Sequence, residues 1–572
     1  MARKKIETQF SIYKVDYERA VKYFKDEKNQ KIDSYDDLEK SIFDNISKEI
    51  LSRKKNTISY VDNVGFKGVV FKTYHYPSWH GMIDNMMTEK IDLSNSHISY
   101  ILSYLKENNM FLLTGGLGSN YISEFTQKNY GLYLLPKIMK ETSPVVKSIL
   151  ENRMSGNRLS SKHSNRNVTT INTENDMSSI FRELSLEIDK EIIELLGFEF
   201  DESKKIKKLN LIAKDSFVVR KSINIDDLVK LLNTLITIEK MTDNFSLGYF
   251  VDVKKYGYSS TKLYKILLKY LVENKLENFL LVGDDYSEYC IEGNRYVVED
   301  QNRNIIYQDE KPITLKDIFE NCSPNPITKA SVEKILNSTL VVYNDIDIIL
   351  YPTKIKKCIQ GHIEDENKHP FFLFNGSWLM FDNNYIDRLD KEFKKSYEQM
   401  VNIDDKLKTI LKSNKATTED KYNKTFENSD DIILAHTVLS NNIELADLIY
   451  YDDDNLYLIH NKIKFNGNGV RDVLNQILTS AEFVRHYLME KNDILEKYYD
   501  DIVKKYPNNK IKSLSKAKFV SLFNKRSTYY VAGFIESLSD ENDSNYAKYI
   551  ILDISKKLIE KGYQLLLFDI NG

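Results

Sequence analysis

Residues 443–465 read IELADLIYYDDDNLYLIHNKIKF and predict two neighbouring β-strands joined by a tight acidic turn. The strands are predicted over 443–450 and 456–465, because both runs are rich in β-branched and aromatic residues and three aspartates separate them. Side chains alternate along a strand, so His460 and Lys462 share one face. If the two strands pair as a hairpin, Asp447 can approach that face.

The segments on either side of this hairpin complete an arrangement that is typical of enzymes that cut phosphodiester bonds. Glu419 lies on a predicted helix upstream, and a predicted helix over 470–489 bears Gln476. An acid on a helix, an acid on one strand and a ligand-x-lysine on the next strand form the arrangement of the restriction-endonuclease core. The sequence therefore predicts a multidomain α/β (mixed α+β) chain with a restriction-endonuclease-like C-terminal core.

These residue types suit hydrolysis of a phosphodiester bond with a metal ion. We expect Glu419, Asp447 and His460 to bind Mg²⁺ or Mn²⁺, which would acidify water and screen phosphate charge. Lys462 would position the water or stabilise the developing charge, and Gln476 would support the site. Histidine in place of Asp or Glu disfavours Mg²⁺ and favours Mn²⁺ or another borderline metal. An inactive site and an ordinary hairpin with an exposed His and Lys are the alternatives.

Several segments resemble, in order and spacing, those of one protein family. They are Pro77-Ser78-Trp79, Phe111 to Gly118 followed by Tyr130-Gly131-Leu132, Glu419 with Tyr422-Asn423, Ala446-Asp447-Leu448, Ile459 to Lys462, and Gln476 with Ser480-Ala481-Glu482. The family comprises uncharacterised bacterial proteins of similar length, sporadically distributed and associated with defence and mobile-element loci. Two positions depart from its pattern, since Ala446 stands where the family has Cys and Ile477 where it has Gly.

The resemblance implies that histidine before the lysine is the family's own pattern and not a defect of this chain. That pattern is compatible with a variant metal site or with a nuclease fold that only binds. The association with defence loci implies a role against phage or plasmid nucleic acid, without showing catalysis.

The overall composition excludes several classes of protein. The chain has 572 residues and 42% hydrophobic residues, which is enough for several cores and excludes wholesale disorder. Lys and Arg (81) nearly balance Asp and Glu (84), so nucleic-acid contacts must come from local patches. Three cysteines cannot form a disulfide framework, and no window is apolar enough for a membrane helix. We expect a cytoplasmic protein with no membrane partner.

Polarity and periodicity predict four segments along the chain. They are an N-terminal α/β domain (1–150), a flexible basic loop (151–175), a middle α/β domain (176–384) and the restriction-endonuclease-like domain (385–572). Residues 98–105 have helical spacing. The glycine-rich turn at 115–118 could hold phosphate, but it lacks the GKS or GKT ending of a P-loop, so a structural turn is preferred.

Two basic segments are candidates for contact with nucleic acid. The run over 504–526 contains no acid, and its candidate residues are Lys504, Lys505, Lys510, Lys512, Lys516 and Lys518. The predicted loop over 151–175 adds Arg158, Lys162 and Arg166. A solvated helix face and a plain flexible loop are the respective alternatives.

The leading hypothesis is a defence protein that binds foreign nucleic acid, DNA in preference to RNA, and cuts it as a metal-dependent nuclease. The alternative is a nucleic-acid-binding or sensing protein that keeps the fold without the chemistry. An interaction scaffold that does not touch nucleic acid is a third hypothesis. The protein could form a homo-oligomer or act with a partner protein of a defence system, and the sequence does not choose between these assemblies.

Overall fold

The computed structural model describes residues 9–572 except 53–54, 64, 76–79, 89–93, 141–144, 154–159, 166–168, 171–178, 199–208, 283–292, 346–348, 367–368, 375, 414, 441, 491–492, 526, 537 and 539–543. Helices and several β-sheets alternate along it, which confirms the predicted mixed α/β class. The chain divides into two compact units: residues 1–152 with 160–248, and residues 153–159 with 249–572. Among the described helices, none has both the length and the apolar composition that crossing a membrane requires.

In the part of the chain that the structure describes, the first unit is built on a sheet of ten strands. Its strands are β1 (Ser11–Lys14), β2 (Thr57–Asn63), β3 (Phe66–His75), β4 (Asn95–Lys106), β5 (Asn109–Gly115), β6 (Val145–Arg153), β7 (Ser160–Ser164), β8 (Ser179–Ile188), β9 (Leu209–Ala213) and β10 (Phe217–Val219). Their order is β2-β3-β4-β5-β1-β10-β9-β8-β6-β7. The first strand of the chain therefore lies inside the sheet, paired in antiparallel fashion with β5 on one side and β10 on the other.

Helices cover both faces of this sheet. The helices of this unit are α1 (Tyr17–Lys28), α2 (Tyr35–Leu51), α3 (His80–Met86), α4 (Tyr130–Ile138), α5 (Lys190–Leu195) and α6 (Ile225–Glu239), with a short 3₁₀ helix at Gly118–Tyr121. Leu112 of β5 packs in a core with α1 and α2, whereas its neighbours Phe111 and Leu113 pack in a second core with α4 and α6. This alternation follows from the two-residue period of a strand.

Residues 98–105 form a strand, and the prediction of a helix there was wrong. They belong to β4, where Ile101 pairs with Val69 of β3 and with Thr114 of β5. Two strand neighbours satisfy the backbone of this segment, and its isoleucines and tyrosines suit a sheet, so tertiary pairing outweighs the apparent helical spacing. The glycine turn that follows is structural in geometry, since Gly116 has a φ of 61° and the Leu117 N–H donates to Ser99 Oγ at 2.9 Å.

The predicted segment boundaries differ from those of the two units. Within 151–175, expected to be a flexible loop, β6 continues to Arg153, and β7 pairs with it, as in Leu150 opposite Lys162. Residues 179–219 supply β8, β9 and β10 to the first sheet, so the first unit extends to Gly248 rather than ending near 150. Pairing between strands that are distant in the sequence does not alter the local composition, so composition could not reveal this boundary.

Among its described residues, the second unit contains three larger sheets and a two-stranded one. Its strands are β11 (Phe250–Asp252), β12 (Phe279–Leu281), β13 (Arg295–Glu299), β14 (Ile305–Asp309), β15 (Thr339–Tyr343), β16 (Ile349–Lys354), β17 (Ile359–Glu364), β18 (Pro370–Phe374), β19 (Ser377–Phe381), β20 (Ile433–Leu434), β21 (Leu439–Ser440), β22 (Ile443–Glu444), β23 (Leu448–Tyr451), β24 (Asn455–Lys462), β25 (Ser527–Phe534) and β26 (Gln564–Asp569). The sheet orders are β11-β19-β18-β17-β12, β14-β13-β15-β16, β20-β23-β24-β25-β26 and β21-β22.

The helices of this unit connect and cover these sheets. They are α7 (Ser260–Val272), α8 (Leu315–Cys322), α9 (Lys329–Asn337), α10 (Ile355–Cys358), α11 (Asn383–Met400), α12 (Asp405–Leu411), α13 (Glu419–Lys424), α14 (Gly467–Glu490), α15 (Ile494–Lys505), α16 (Lys516–Lys525) and α17 (Asn545–Glu560), with 3₁₀ helices at Val253–Tyr256, Leu276–Asn278 and Lys510–Ser513.

The C-terminal five-stranded sheet positions the candidate site. Strand β23 is antiparallel to β20 and β24, whereas β24, β25 and β26 are parallel to one another. Parallel neighbours require crossover connections, which α14 to α16 and α17 supply. The predicted strand over 443–450 is split, because β22 ends at Glu444 and β23 begins at Leu448. The three residues in the break include Asp447.

Candidate metal centre

Asp447 directly precedes β23, at the end of the β23–β24 pair opposite the acidic turn, and its carboxylate is buried. Its backbone N–H donates to Ile459 O at 2.9 Å, and its Oδ2 accepts from the Asn461 N–H at 2.8 Å. The residue is 2% exposed. Burial is the largest influence and opposes ionisation of the Asp447 carboxyl. The hydrogen bonds from His436 and Asn461, with the charges of the two nearby histidines, together outweigh it and hold the pKa of Asp447 below its ordinary value. A buried carboxylate anion is therefore stable at this point.

Glu419 approaches the same point from α13, where it is the first helical residue. The Thr418 side chain caps this helix by accepting from the Lys421 N–H. The Glu419 carboxylate pairs with Lys462 Nζ at 3.0 and 3.2 Å. Burial raises the pKa of Glu419, and the contact with Lys462 opposes that rise. The helix acid and the lysine at the end of β24 are thus in direct contact.

His436 is the third member of the group and follows β20. Its Nδ1 lies 2.5 Å from Asp447 Oδ1, 3.2 Å from Asn423 Nδ2 and 3.6 Å from the Glu444 carboxylate. The hydrogen bond with Asp447 raises the pKa of His436, although burial opposes this rise. The sequence prediction missed His436, since it belongs to no local pattern and lies 11 residues before Asp447. The signal available was a lone histidine next to the apolar run at 432–435.

One ligand atom from each of Glu419, His436 and Asp447 lies within 4.8 Å of the other two. Ligand atoms at about 2.0–2.2 Å from one ion stand roughly 3 Å apart, so small side-chain movements would bring these three into one coordination shell. Nδ1 of His436 would exchange its hydrogen for the ion, which releases a proton. The donor set is two carboxylates and one imidazole, and these residues fit a divalent cation.

Glu444 adds a third carboxylate beside this group. Burial and the charge of Asp447 raise the pKa of Glu444 to about 7. Its carboxylate accepts from the Thr437 N–H. Thr437 has a φ of 56°, a left-handed conformation that β-branched residues rarely adopt. The turn that follows His436 is therefore held under strain by contacts on either side of it.

A pair of asparagines joins α13 to β24 behind the acids. Asn461 Nδ2 donates to Asn423 Oδ1 at 2.7 Å, and Asn423 also contacts His436. Both asparagines are buried. Tyr422, beside Asn423, donates to Leu411 O at 2.6 Å and anchors the helix from its other side. The resemblance segment Glu419…Tyr422-Asn423 thus supplies one candidate ligand and two anchoring residues.

Two other predicted site residues lie apart from the three grouped side chains. His460 is fully buried, and its Nε2 bonds to Leu445 O at 3.1 Å instead of joining Glu419 and Asp447. It shares a strand face with Lys462 as expected, but the pairing of β23 with β24 puts the imidazole against the backbone break. Gln476 is half-buried on α14 and makes no hydrogen bond with Glu419, His436 or Asp447.

Two lysines of the basic run contact the backbone around the centre. Lys505 Nζ donates to Thr437 O at 2.9 Å, and the neighbouring Tyr506 hydroxyl donates to His436 O at 2.7 Å. Lys510 Nζ donates to Asp430 O. The run predicted from sequence therefore packs against the turn that bears His436.

The other basic candidates fall into three groups. Lys504, Lys512, Lys516 and Lys518 are exposed, and Lys516 pairs with Asp500 at 2.6 Å. Lys162 is exposed on β7 of the first unit. Arg158 and Arg166 lie outside the described residues.

Comparison with protein families gives a match over most of the chain. A model of a family described as "Family of unknown function (DUF6119)" matches residues 10–538. No curated protein and no solved structure matches the chain.

Proposed function

We propose that this chain, which belongs to the DUF6119 family of unknown function, is a metal-dependent phosphodiesterase that cuts nucleic acid. The observation that carries the proposal is the group formed by Glu419, His436 and Asp447, with Lys462 beside it. Two acids, a nitrogen ligand and a lysine can together support hydrolysis of a phosphodiester, because they can neutralise charge and activate water at one point.

The donor set favours a particular kind of cation. Mg²⁺ prefers oxygen ligands and octahedral geometry, whereas Mn²⁺ accepts imidazole more readily. With His436 beside two carboxylates, we propose Mn²⁺ as the better activator and Mg²⁺ as the weaker one. When bound, such a cation supplies charge neutralisation at the phosphate and lowers the pKa of water.

The side chains of the protein would perform the remaining tasks. Lys462 Nζ, 3.0 Å from the Glu419 carboxylate, would donate to a non-bridging phosphate oxygen and stabilise its developing charge. Glu444, with its raised pKa, stands next to His436 and could accept or return a proton at neutral pH. Asn423 and Asn461 hold α13 and β24 at fixed separation.

The proposed substrate is a polynucleotide, with DNA preferred over RNA. Lys505 and Lys510 place two cations on the turn segments next to the centre, and Lys504 and Lys512 extend the positive charge along the surface. Such a series of lysines suits successive phosphates of a strand. The resemblance to proteins of defence loci supports foreign DNA as the target, and thus a role in defence against phage or plasmids.

One observation favours the second candidate, a protein that binds nucleic acid without cutting it. Lys462 is already paired with Glu419, and His436 with Asp447, so the charges of the group are compensated within the chain. A binding protein could keep this network as a structural element.

The test is cleavage of supercoiled plasmid, single-stranded DNA and RNA by the purified full chain with Mn²⁺, Mg²⁺ or excess chelator. We expect nicking with Mn²⁺, weaker nicking with Mg²⁺ and none with chelator. Asp447→Asn should abolish cleavage, whereas Asp453→Asn, the same change at an exposed turn position, should leave it intact. Binding that is unaffected by chelator, with no nicking in any metal, would support the second candidate instead.

A further inference from the structure

The carbonyl of Leu445 accepts two hydrogen bonds from buried side chains. His460 Nε2 is 3.1 Å from this oxygen, and Ser480 Oγ of α14 is 2.7 Å from it. Ser480 also contacts the Tyr530 hydroxyl of β25 at 3.3 Å. Leu445, His460 and Ser480 are each 0% exposed. A polar network thus crosses the core between the sheet and the helix.

The break between β22 and β23 explains why this carbonyl needs side-chain partners. Leu445 lies in the break between β22, which pairs with β21, and β23, and the pairing with β24 begins only at Asp447, whose N–H donates to Ile459 O. A buried carbonyl without a partner is destabilising, so the two side chains compensate for the missing ladder bond. Leu458 and Ile459, which precede residue 460 on the strand, are apolar and fully buried. An apolar side chain at position 460 would therefore suit the packing equally well, and the histidine needs another explanation.

We propose that His460 and Ser480 are positioning residues, which fix the Leu445 carbonyl and so set Asp447 and Glu444 at the candidate metal centre. This inference rests on the proposed function. Leu445 directly follows Glu444 and precedes Asp447 by two residues, so the orientation of its peptide determines where both carboxylates point. Partners that orient metal ligands from behind typically change metal affinity by about 10–100-fold when removed.

The geometry separates this role from direct ligation by His460. Since Nε2 faces a carbonyl oxygen, it bears the ring hydrogen and donates it to Leu445. A glutamine at 460 can place an N–H donor near the same point, whereas a phenylalanine cannot. A positioning role is therefore rescued by glutamine, and a ligand role for the imidazole is not.

The experiment uses the full chain with His460→Gln, His460→Phe and Ser480→Ala. Tyr530→Phe is the matched control, because the Tyr530 hydroxyl belongs to the same network but contacts Ser480 and not the Leu445 carbonyl. The first measurement is amide hydrogen exchange in the metal-free protein. The Asn461 N–H, which donates to Asp447 Oδ2, and the Asp447 N–H report the position of Asp447. The second measurement is Mn²⁺ affinity, from the electron paramagnetic resonance signal of the free ion.

We expect His460→Phe to lose protection at these two amides while the rest of β24 keeps it, and to bind Mn²⁺ about 10-fold more weakly or worse. Ser480→Ala should show a smaller change of the same kind, and His460→Gln and Tyr530→Phe should resemble the wild type. Equal loss of affinity in His460→Gln and His460→Phe with unchanged amide protection would overturn the proposal in favour of a ligand role.

The two hypotheses fail in different ways. If the wild type bound no Mn²⁺ and cut no nucleic acid, the proposed function would be rejected, and the exchange measurement would still decide the positioning role. If none of Ser480→Ala, His460→Gln and His460→Phe changed the protection of the two amides, that result by itself would reject the positioning role. If His460→Phe did not fold, Ser480→Ala would decide, because it removes the shorter of the two bonds to Leu445 O.

Discussion

Nδ1 of His436 lies 2.5 Å from Oδ1 of Asp447, and both side chains are buried. This contact joins a histidine that follows one strand to an aspartate that precedes another, across the edge of the C-terminal sheet. Each residue stabilises the charged form of the other, since the pKa of His436 is raised and that of Asp447 is lowered. The other contacts of the candidate centre are made to this pair, by Asn423 and Glu444 to His436 and by Asn461 to Asp447.

His436→Asn should remove the nitrogen ligand while leaving the acids in place. We expect Mn²⁺ affinity to fall by at least about 10-fold and cleavage to fall with it, because a shorter, neutral amide that binds cations weakly replaces the imidazole ligand. Isothermal titration with Mn²⁺ measures the change. His486→Asn, the same substitution at an exposed helix position, should have no effect. Full Mn²⁺ affinity in His436→Asn would remove this residue from the centre.

Lys462→Met should separate metal binding from catalysis. The lysine pairs with Glu419 but offers no ligand to a cation, so we expect Mn²⁺ affinity to be kept or strengthened. The rate of cleavage should fall about 10²–10³-fold, because a cation that faces the reacting phosphate is lost. Single-turnover cleavage measures that rate. The control is Lys464→Met, the same change at an exposed position two residues on, which should cut at the wild-type rate.

Gly533→Ala should disturb the asparagine pair behind the acids. A Cβ at this position of β25 would lie 2.3 Å from Asn461 Oδ1, so the amide must move away from Asn423. We expect cleavage to fall about 10-fold with the fold retained. Asn461→Ala removes the same amide without adding an atom, and it should give a similar loss in the plasmid assay. A fully active Gly533→Ala would show that the asparagine pair does not position α13.

Lys504→Gln with Lys512→Gln tests whether the basic run contacts phosphates. Both lysines are exposed, so their removal should leave the fold unchanged. If each contacts one phosphate, the slope of log affinity for duplex DNA against log salt should become less steep by about 2. Fluorescence anisotropy over a series of salt concentrations gives the slope. Lys22→Gln with Lys25→Gln, exposed on α1, is the control with the same change in net charge. An unchanged slope in both double variants would place the nucleic acid elsewhere.

His362 should make the protein sensitive to acid. Burial, with the charge of Arg471, lowers the pKa of His362 from 6.5 to about 3, so the folded protein keeps it neutral. In the unfolded chain, His362 binds a proton near pH 6.5. The contribution of the neutral, buried His362 to the free energy of unfolding is therefore complete above that pH and is lost progressively towards pH 3. The ring packs against Tyr546 at 4.3 Å between centroids, so phenylalanine can replace it.

We therefore expect the free energy of unfolding of the wild type to fall between pH 6.5 and 5 by about 2 kcal/mol more than that of His362→Phe. Urea unfolding at several pH values measures this difference. His486→Gln, which changes an exposed histidine, should follow the wild type. Parallel curves for wild type and His362→Phe would contradict the prediction.

The local patterns predicted much of the C-terminal fold, because they are set by short-range physics. The hairpin around the acidic turn, the helix bearing Gln476 and the last two strands all have strong periodicity and clear turn residues. The exception in the N-terminal unit, β4, shows the limit of this approach. The spacing of its apolar residues fits a helix, whereas its isoleucines and tyrosines suit a strand, and pairing with β3 and β5 decides between the two.

The candidate centre was predictable in part. Glu419, Asp447 and Lys462 are brought together as expected, since each lies at the end of an element and the order of elements fixes their proximity. His436 could not be identified, because its approach depends on the strained turn at Thr437 and on contacts from α15. The role expected of His460 depended on strand alternation and on the ligand-x-lysine pattern, neither of which reveals the break at Leu445 that the imidazole contacts.

The interior position of β1 has a consequence for biosynthesis. The strand spans residues 11–14, yet one of its two neighbours, β10, ends at residue 219. As the chain leaves the ribosome, one edge of β1 would stay unpaired until some two hundred further residues have been made. A fragment stopped at residue 150 would keep that edge permanently available for pairing with other molecules, so early termination products of this protein are expected to aggregate.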